Sequence, residues 1–183
     1  SERVGYWCNL GVDHFARLGA DARALPVIDR ESANDKRFAD AITDANFVYL
    51  SGGKPAYLYE VLEGTLVWDA IRTVLAGGGI LAGCSAGAMI MGETFFSFTG
   101  LSAGFGFLSG VAVIPHFDQI PDNRLDAIYS RLPQNLTVVG IEGNTALLQC
   151  KGRYEVLGSG GVTVWNKAGK TRHTQGPMPL SLN

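Results

Sequence analysis

The sequence predicts an α/β protein built on a mostly parallel β-sheet with helices on both faces. Two observations carry this prediction. In the first half of the chain, short apolar runs typical of buried strands alternate with stretches whose apolar residues recur at helical spacing. After Gly92 the sequence becomes β-rich and contains turn-forming Gly and Asn residues. We therefore expect strands and hairpins to be added to the sheet in the C-terminal part.

The N-terminal stretch contains two helical patterns and two apolar runs. A helix is predicted over residues 11–18, where Gly19 ends the pattern, and a second over residues 35–43. Strands are predicted at residues 22–29 and at 47–53, the latter leading into a glycine turn. A doubly wound sheet normally begins with a strand, whereas this chain opens on a helix. We therefore expect one or two N-terminal strands to be absent from this sequence.

The alternation of helix and strand continues through the next segment. A proline that suits a first helical turn opens a predicted helix pair at residues 55–62 and 65–75. A buried strand is predicted at 79–83 and a helix at 86–91. One further helix, near residues 123–132, lies within the β-rich part.

Length and composition limit the classes of protein that this chain can be. Because no linker, repeat or low-complexity tract interrupts its 183 residues, we predict a single α/β domain over residues 1–183. Hydrophobic residues make up 46%, charged residues 17%, and the formal net charge is -2, which argues against disorder and against nucleic acid as a partner. No apolar run approaches the roughly 20 residues that span a bilayer, so no membrane association is expected.

The cysteines indicate a reduced, metal-free protein. Cys8, Cys84 and Cys150 are too few and too widely spaced for a disulfide framework or a zinc site. We therefore expect reduced thiols and a cytoplasmic location.

The segment "GCSAG" fits the spacing G-x-S-x-G, with Ser85 at its centre between Gly83 and Gly87. A serine on such a strand-to-helix turn is raised above the sheet, where it can act as a nucleophile. The apolar strand before it and the Ala-rich helix after it are the context that this interpretation requires. The alternative is an ordinary turn in which Ser85 caps the helix.

A serine nucleophile needs a base, and the chain has three histidines. His14 lies in the first predicted helix and His173 in a polar segment near the C-terminus. His116 ends the apolar strand "VAVIPHF", so it would lie at the carboxyl edge of the sheet, where active groups of α/β proteins gather. We predict that His116 is the base; the alternative is a half-buried histidine at a strand end.

The imidazole in turn needs a carboxylate to orient it. Glu142 follows another apolar strand, in "VVGIEGNTALL", and we predict that it is this acid. Turn formation beside Gly143 and Asn144 is an alternative explanation for Glu142. Glu93 is the only acid between the serine and the histidine and is the second candidate.

Two backbone donors are required for the oxyanion of an acyl-transfer reaction. The N–H of Ala86, directly after the nucleophile, can supply one. The turn "SGGKP" can supply the other through Gly52 or Gly53, because glycine permits close approach of the backbone.

Five segments together resemble the peptidase E (aspartyl dipeptidase) and cyanophycinase family of serine peptidases. These are "YLSGGKPAYL", "GCSAGAM", "IPHF", "VVGIEGNTALL" and "VLGSGGVTVW", in order over residues 47–167. The resemblance implies a flavodoxin-like fold related to class I glutamine amidotransferases, and hydrolysis of small peptides. By position it makes Ser85 the nucleophile and His116 the base, with Gly53 and Ala86 as oxyanion donors.

The chain departs from the family pattern at two places. The family commonly draws its acid from the segment between serine and histidine, which offers only Glu93 here; this favours Glu142, which matches a Glu-Gly-Asn stretch of the family. Aspartyl dipeptidases also carry a substrate-binding arginine in the loop after the histidine, where this chain has Pro121. Arg124 matches a different, helix-borne arginine and is, with Gly52, a candidate substrate contact. Strict Asp-X specificity is therefore not expected.

The leading hypothesis is a serine peptidase that cleaves dipeptides or short peptides through an acyl-enzyme, as a monomer or homodimer. This reaction implies no metal or organic cofactor. One alternative is an amidotransferase-like or other amide hydrolase, in which Cys84 could be suspected as nucleophile; a cyanophycinase-like enzyme is a second. Another is a catalytically silent α/β binding protein that keeps the turn for structural reasons.

Overall fold

The computed structural model describes residues 2–98 and 100–178, which divide into two units. The first holds the described chain up to Val48 and Glu60–Leu81; the second holds Tyr49–Tyr59 and the described chain from Ala82 onward. All predicted site residues belong to the second unit: Gly52, Gly53, Ser85, Ala86, His116, Arg124 and Glu142.

Helices and strands follow each other as separate, short elements. The helices are α1 (Glu2–Arg17), α2 (Arg30–Ala33), α3 (Lys36–Thr43), α4 (Pro55–Leu62), α5 (Leu66–Ala76), α6 (Ala86–Met89) and α7 (Asp122–Ser130), with a 3-10 helix at Phe117–Gln119. The strands are β1 (Phe47–Leu50), β2 (Ile80–Gly83), β3 (Gly92–Ser97), β4 (Gly100–Ala103), β5 (Leu108–Pro115), β6 (Thr137–Ile141), β7 (Thr145–Cys150), β8 (Arg153–Gly158), β9 (Val162–Asn166), β10 (Gly169–His173) and β11 (Gly176–Met178).

The prediction of a strand at residues 22–29 is wrong. These residues lie outside helices and strands. Pro26 has no N–H to give to a neighbouring strand, and the next N–H, that of Val27, donates to Leu25 O at 2.8 Å. A bond across two residues is a tight turn, which breaks the extended run that the apolar residues indicated.

The other predicted elements of the first half are present, with altered ends. α3, α4, α5 and β2 lie close to their predicted ranges, and β1 is shorter than predicted because its last residues form the glycine turn. α6 also ends earlier than predicted, at Met89. α1 begins well before residue 11. Its half-buried residues Val4, Cys8, Val12 and Phe15 recur at helical spacing, and the predicted range took in only the second half of this stripe.

The largest sheet has six strands in the order β10-β9-β6-β5-β3-β4. Its central strands β3, β5 and β6 run parallel, whereas β4, β9 and β10 are antiparallel to their neighbours. A separate antiparallel sheet has the order β11-β8-β7, and β1 pairs with β2. The α/β class is confirmed, and parallel pairing occupies the centre of this sheet.

Alternating residues of β5 fill two apolar clusters, one on each face of the six-stranded sheet. Val111 and Val113 pack with residues of the three-stranded sheet, including Tyr154 and Val156. Ala112, Ile114 and their neighbours instead pack with a second set of buried residues from α7 and its surroundings, Phe117, Leu125, Leu132 and Leu136. Each fully buried valine here contributes about 1.5–3 kcal/mol, so the carboxyl-terminal half of β5 is firmly fixed. The carboxyl end of β5, which leads to His116, is thus held from both faces.

In the first unit, Arg30 ties α2 to the last turn of α4 and the residue that follows it. Its guanidinium donates to the Glu63 carbonyl at 3.0 Å and to the Glu60 carbonyl. Asp29 and Ser32 form a capping box at the start of α2. Of the helices in the described chain, none has the combined length and apolarity that crossing a bilayer requires.

The close packing of Phe117 on Gly140 can be tested by adding a methyl group. A Cβ at Gly140 would overlap the Phe117 ring. We expect Gly140→Ala to lower the free energy of unfolding by about 1–3 kcal/mol, because the ring must move within a packed core. Urea denaturation measures this change. Gly5→Ala is the control: its methyl group would meet nothing within 4 Å and sits in a helix, so it should not destabilise. Equal losses in the two variants would contradict the expectation.

Candidate active site

Ser85 stands at the turn between β2 and α6, in a backbone conformation that residues with a side chain rarely adopt. Its φ is 50° and its ψ is -116°. Such a conformation costs of order 1–3 kcal/mol and persists only where the surroundings enforce it. This is the backbone feature expected of a serine raised on a sharp strand-to-helix turn.

The two glycines of the G-x-S-x-G spacing enforce this turn by allowing close backbone contacts. A Cβ at Gly83 would lie 2.5 Å from the carbonyl carbon of Gly87. A Cβ at Gly87 would overlap the carbonyl oxygen of Leu50, the last residue of β1. The Cys84 N–H also donates to Leu50 O at 3.1 Å. The turn is therefore pressed against the end of β1, and neither glycine can be replaced without shifting it.

The Ser85 side chain is half-buried and does not cap the helix. No hydrogen bond joins its hydroxyl to the first turn of α6, so the interpretation as an N-capping serine is wrong. A Cβ on Gly52 would lie 3.1 Å from Ser85 Cβ and 3.5 Å from Ser85 Oγ. The structure thus brings the serine hydroxyl against the Gly52-Gly53 turn.

Two backbone donors near the serine are uncommitted. Within the described residues, the N–H groups of Gly53 and Ala86 donate to no other group. Gly53 has a φ of 147°, a conformation open to glycine and strained for other residues. Both donors are therefore available to a ligand, as an oxyanion site requires.

His116 lies directly after β5 and has left-handed backbone angles, with φ 53° and ψ 38°. Its side chain is exposed, whereas the next residue, Phe117, is buried and anchors the turn. Of the residues described, none forms a hydrogen bond with the imidazole, Ser85 and Glu142 included. Catalytic hydrogen bonds are often long without substrate, so the base role of His116 stays a prediction.

Glu142 follows β6, and its carboxylate is held by a neighbouring arginine. Arg172 donates from Nε to Oε1 at 2.6 Å and from Nη2 to Oε2 at 2.7 Å. The Gly161 N–H donates to Oε2 at 2.9 Å. The Arg172 guanidinium is the main reason that the pKa of Glu142 is lowered from its usual value, and the Gly161 N–H adds to the effect. The carboxylate is therefore ionised and fixed in direction.

Two other acids, Glu93 and Asp118, have structural partners of their own. Glu93 accepts hydrogen bonds from the Gly110 N–H at 2.8 Å and the Ser109 hydroxyl at 3.0 Å, and these two bonds lower the pKa of Glu93. Asp118 accepts from the Gly143 N–H at 2.8 Å, which ties the turn after His116 to the turn after Glu142. Which carboxylate orients His116 stays a prediction.

Arg124 lies on the first turn of α7, a helix that begins directly after Pro121. Its side chain is exposed, and its guanidinium has no partner among the residues described. A free cation at this place can receive an anionic group of a ligand.

The side chain of Cys84 contacts that of Tyr49, a residue of β1. Its thiol shares a hydrogen bond with the Tyr49 side chain; burial raises the pKa of Tyr49, and the bond to Cys84 raises it further. Sequence reasoning missed this pair and also missed Arg172, Gly161 and the bond between Asp118 and Gly143. These partners lie far apart in the chain, so no local spacing indicates them.

The chain resembles solved structures of peptidases. It is similar to the crystal structure of a peptidase from an acI-B1 Actinobacterium, with a TM-score of 0.85 and 34% identity over 96% of this chain and 75% of that one. It also shares its fold with a putative peptidase E protein from Listeria monocytogenes EGD-e, with a TM-score of 0.52 and 17% identity over 68% and 65% of the two chains.

The family follows from the sequence comparisons. The model of peptidase family S51 matches residues 2–157, and the chain belongs to that family. It is 30% identical to a cyanophycinase of Trichormus variabilis, over 89% of this chain and 59% of that protein. A cyanophycinase of Geminocystis herdmanii is also 30% identical, over 84% and 61%. The chain thus spans about three fifths of these relatives, and the family predicted from the sequence is confirmed.

The ion pair of Glu142 makes stability depend on pH in a defined direction. Because the folded protein lowers the pKa of Glu142 below its ordinary value of 4.5, the stabilisation is present above that pH and is lost as the pH falls through the folded-state pKa. We expect wild type to exceed Glu142→Gln in urea midpoint at pH 7, and the difference to narrow below about pH 4.5.

Urea titrations from pH 7 to pH 3 measure that difference. Glu155→Gln is the control, because Glu155 is exposed and has no ion pair in the described chain. A gap between wild type and Glu142→Gln that stays constant down to pH 3 would contradict the role of the ion pair.

Proposed function

We propose that the chain is a serine peptidase that hydrolyses dipeptides or short peptides through an acyl-enzyme. The observation that supports it most is the strained turn of Ser85, whose hydroxyl caps no helix and lies against the Gly52-Gly53 turn. Membership of peptidase family S51 is consistent with this reaction. A strained backbone at an uncommitted hydroxyl is more readily explained by chemistry than by folding.

In the proposed reaction, Ser85 Oγ attacks the carbonyl carbon of the peptide while His116 takes its proton. The negative oxygen of the tetrahedral intermediate accepts hydrogen bonds from the Gly53 and Ala86 N–H groups. His116 then returns the proton to the leaving amine, which leaves the acyl group on Ser85. Water, activated by His116, releases the acid product. Glu142 holds the imidazole and stabilises its charged form.

The finer features of fold and assembly belong to the same proposal. The parallel centre of the six-stranded sheet fits a flavodoxin-like fold of the class I glutamine amidotransferase type, with the hairpins of β7-β8 and β9-β10 as additions. We propose that the chain works as one peptidase domain in the cytoplasm, as a monomer or homodimer, without a metal or organic cofactor.

The substrate is proposed to be a short peptide bound near Gly52 and Arg124. The cyanophycinase relatives favour a second candidate within the same chemistry, a cyanophycinase-like hydrolase. Cys84 is a poorer nucleophile candidate than Ser85, because its thiol is bonded to Tyr49. The remaining alternative, a silent binding protein, offers no reason for the strain at Ser85 and His116.

A fluorophosphonate probe tests the nucleophile. We expect it to label wild type at Ser85, and to label Ser85→Ala and His116→Ala slowly or not at all, because an unactivated serine reacts poorly. Mass spectrometry of the labelled protein identifies the site. Ser130→Ala, an exposed serine of α7, and Cys84→Ala serve as controls and should be labelled like wild type. Absence of label on folded wild type favours the silent protein, and loss of activity in Cys84→Ala points to the thiol.

A dipeptide panel with Asp-X, Gly-X and X-Asp members tests specificity. We expect hydrolysis beyond the Asp-X members, because Pro121 replaces the arginine that the aspartyl dipeptidases carry. We also expect Arg124→Gln to raise KM for the acidic members about 10-fold with kcat retained, the loss of roughly one charge-assisted hydrogen bond. Arg131→Gln, after the same helix, is the matched control. Equal KM values for wild type and Arg124→Gln on every peptide would show that Arg124 does not bind the substrate.

A further inference from the structure

Arg172 binds both oxygens of the Glu142 carboxylate, although it lies outside the motifs identified in the sequence. Arg172 Nε and Nη2 bind Oε1 and Oε2 at 2.6 Å and 2.7 Å. The Glu142 side chain is 16% exposed, against 50% for Arg172, so the carboxylate is the more enclosed partner. A planar guanidinium that binds both oxygens fixes the plane of the carboxylate as well as its position.

Two glycines make room for this contact. A Cβ on Gly161 would lie 2.7 Å from Arg172 Cζ and 2.8 Å from Nε, so a side chain there would displace the guanidinium. A Cβ on Gly160 would lie 3.1 Å from Glu142 Cβ. Gly161 also bonds to Glu142 through both of its backbone polar groups: its N–H donates to Oε2, and its carbonyl accepts from the Glu142 N–H. The segment "GSGG" is thus shaped around the Glu142-Arg172 pair.

Arg172 is carried by β10, which also contacts the segment of His116. β10 pairs with β9, and β9 pairs with β6, the strand that leads to Glu142. Lys170 lies on the same strand, and its ammonium is 5.4 Å from the centre of the Phe117 ring. Phe117 directly follows His116 in the chain. This strand lies beyond residues 2–157, which the family model matches.

The two hydrogen bonds from Arg172 leave the Glu142 carboxylate able to accept a further hydrogen bond. A carboxylate oxygen can accept two hydrogen bonds, and among the described residues Oε1 accepts one, from Arg172. An imidazole N–H can occupy the other position. Two charged groups of the described residues bond to this turn: Arg172 of β10 binds Glu142, and Asp118 of the 3-10 helix binds the Gly143 N–H. The lowered pKa of Glu142 agrees with a carboxylate that stays ionised beside them.

We propose that Arg172 is a positioning residue of the active site, which orients Glu142 so that this acid can hold His116. The inference rests on the proposed serine peptidase function and on Glu142 as its acid. In this role Arg172 acts through Glu142 and not directly on the substrate or the reacting atoms. The hairpin of β9 and β10, which lies at the edge of the sheet, therefore contributes to catalysis by carrying Arg172.

The test compares Arg172→Ala with the matched control Arg153→Ala, an exposed arginine of β8 without a described partner. The rate of Ser85 labelling by a fluorophosphonate and kcat and KM on the best dipeptide are measured for each. We expect Arg172→Ala to lower labelling rate and kcat about 10- to 100-fold with KM retained, because a misplaced acid costs orientation and not binding. Arg153→Ala should match wild type.

Three further measurements separate positioning from a loss of folding. Added methylguanidinium should restore part of the activity of Arg172→Ala and none of that of Glu142→Gln. The double variant Arg172→Ala with Glu142→Gln should be no slower than Glu142→Gln alone, because Arg172 acts through Glu142. Arg172→Lys keeps the charge without the two-point contact and should remain slower than wild type.

The outcomes distinguish this inference from the function on which it rests. Wild type that is not labelled at Ser85 overturns both. Labelled wild type together with full activity of Arg172→Ala or Arg172→Lys overturns the inference alone. Fully additive losses in the double variant, or no response of folded Arg172→Ala to methylguanidinium, also overturn it, because both indicate a role independent of Glu142.

Discussion

The contact between Gly87 and the end of β1 is the constraint on which the candidate site depends. Because Gly87 has no side chain, the turn after β2 can press against the Leu50 carbonyl, and the Cys84 N–H adds a hydrogen bond there. This contact holds Ser85 at a φ that its side chain disfavours. It also brings the serine to the Gly52-Gly53 turn that continues β1. The absence of a side chain at Gly87 therefore positions both the Ser85 hydroxyl and the backbone N–H of Gly53 beside it.

The acid and the histidine are held by a different set of interactions. Asp118 joins the turn after His116 to the turn after Glu142, and Phe117 packs on Gly140 in β6. Since β5 and β6 are parallel neighbours, their carboxyl ends deliver His116 and Glu142 to the same edge of the sheet. Side-chain and main-chain contacts after each strand then fix the two turns. The packed core thus fixes the positions of the two strand ends, and hydrogen bonds such as that between Asp118 and Gly143 fix the turns that follow them.

The sequence was sufficient to predict what depends on local spacing, and insufficient where distant segments meet. The alternation of apolar runs with helical patterns predicted α3, α4, α5 and β2, and the glycine spacing predicted the turn at Ser85. The strand expected at residues 22–29 failed because Pro26 removes a donor, an effect that a hydrophobic pattern does not show. Arg172 and the pair of Tyr49 and Cys84 could not be predicted, because each joins residues from strands far apart in the chain. The roles of His116 and Glu142 remain predictions of chemistry.

The hairpin of β9 and β10 has a consequence for how fragments of such proteins should be compared. A polypeptide ending near residue 157 would keep the serine turn, the histidine and the Glu-Gly-Asn stretch, and would look complete by its signatures. It would nevertheless lack the counterion of an enclosed carboxylate, which would then be drawn toward protonation or toward solvent. Similarity over the signatures is therefore no guarantee of the same electrostatic environment around them.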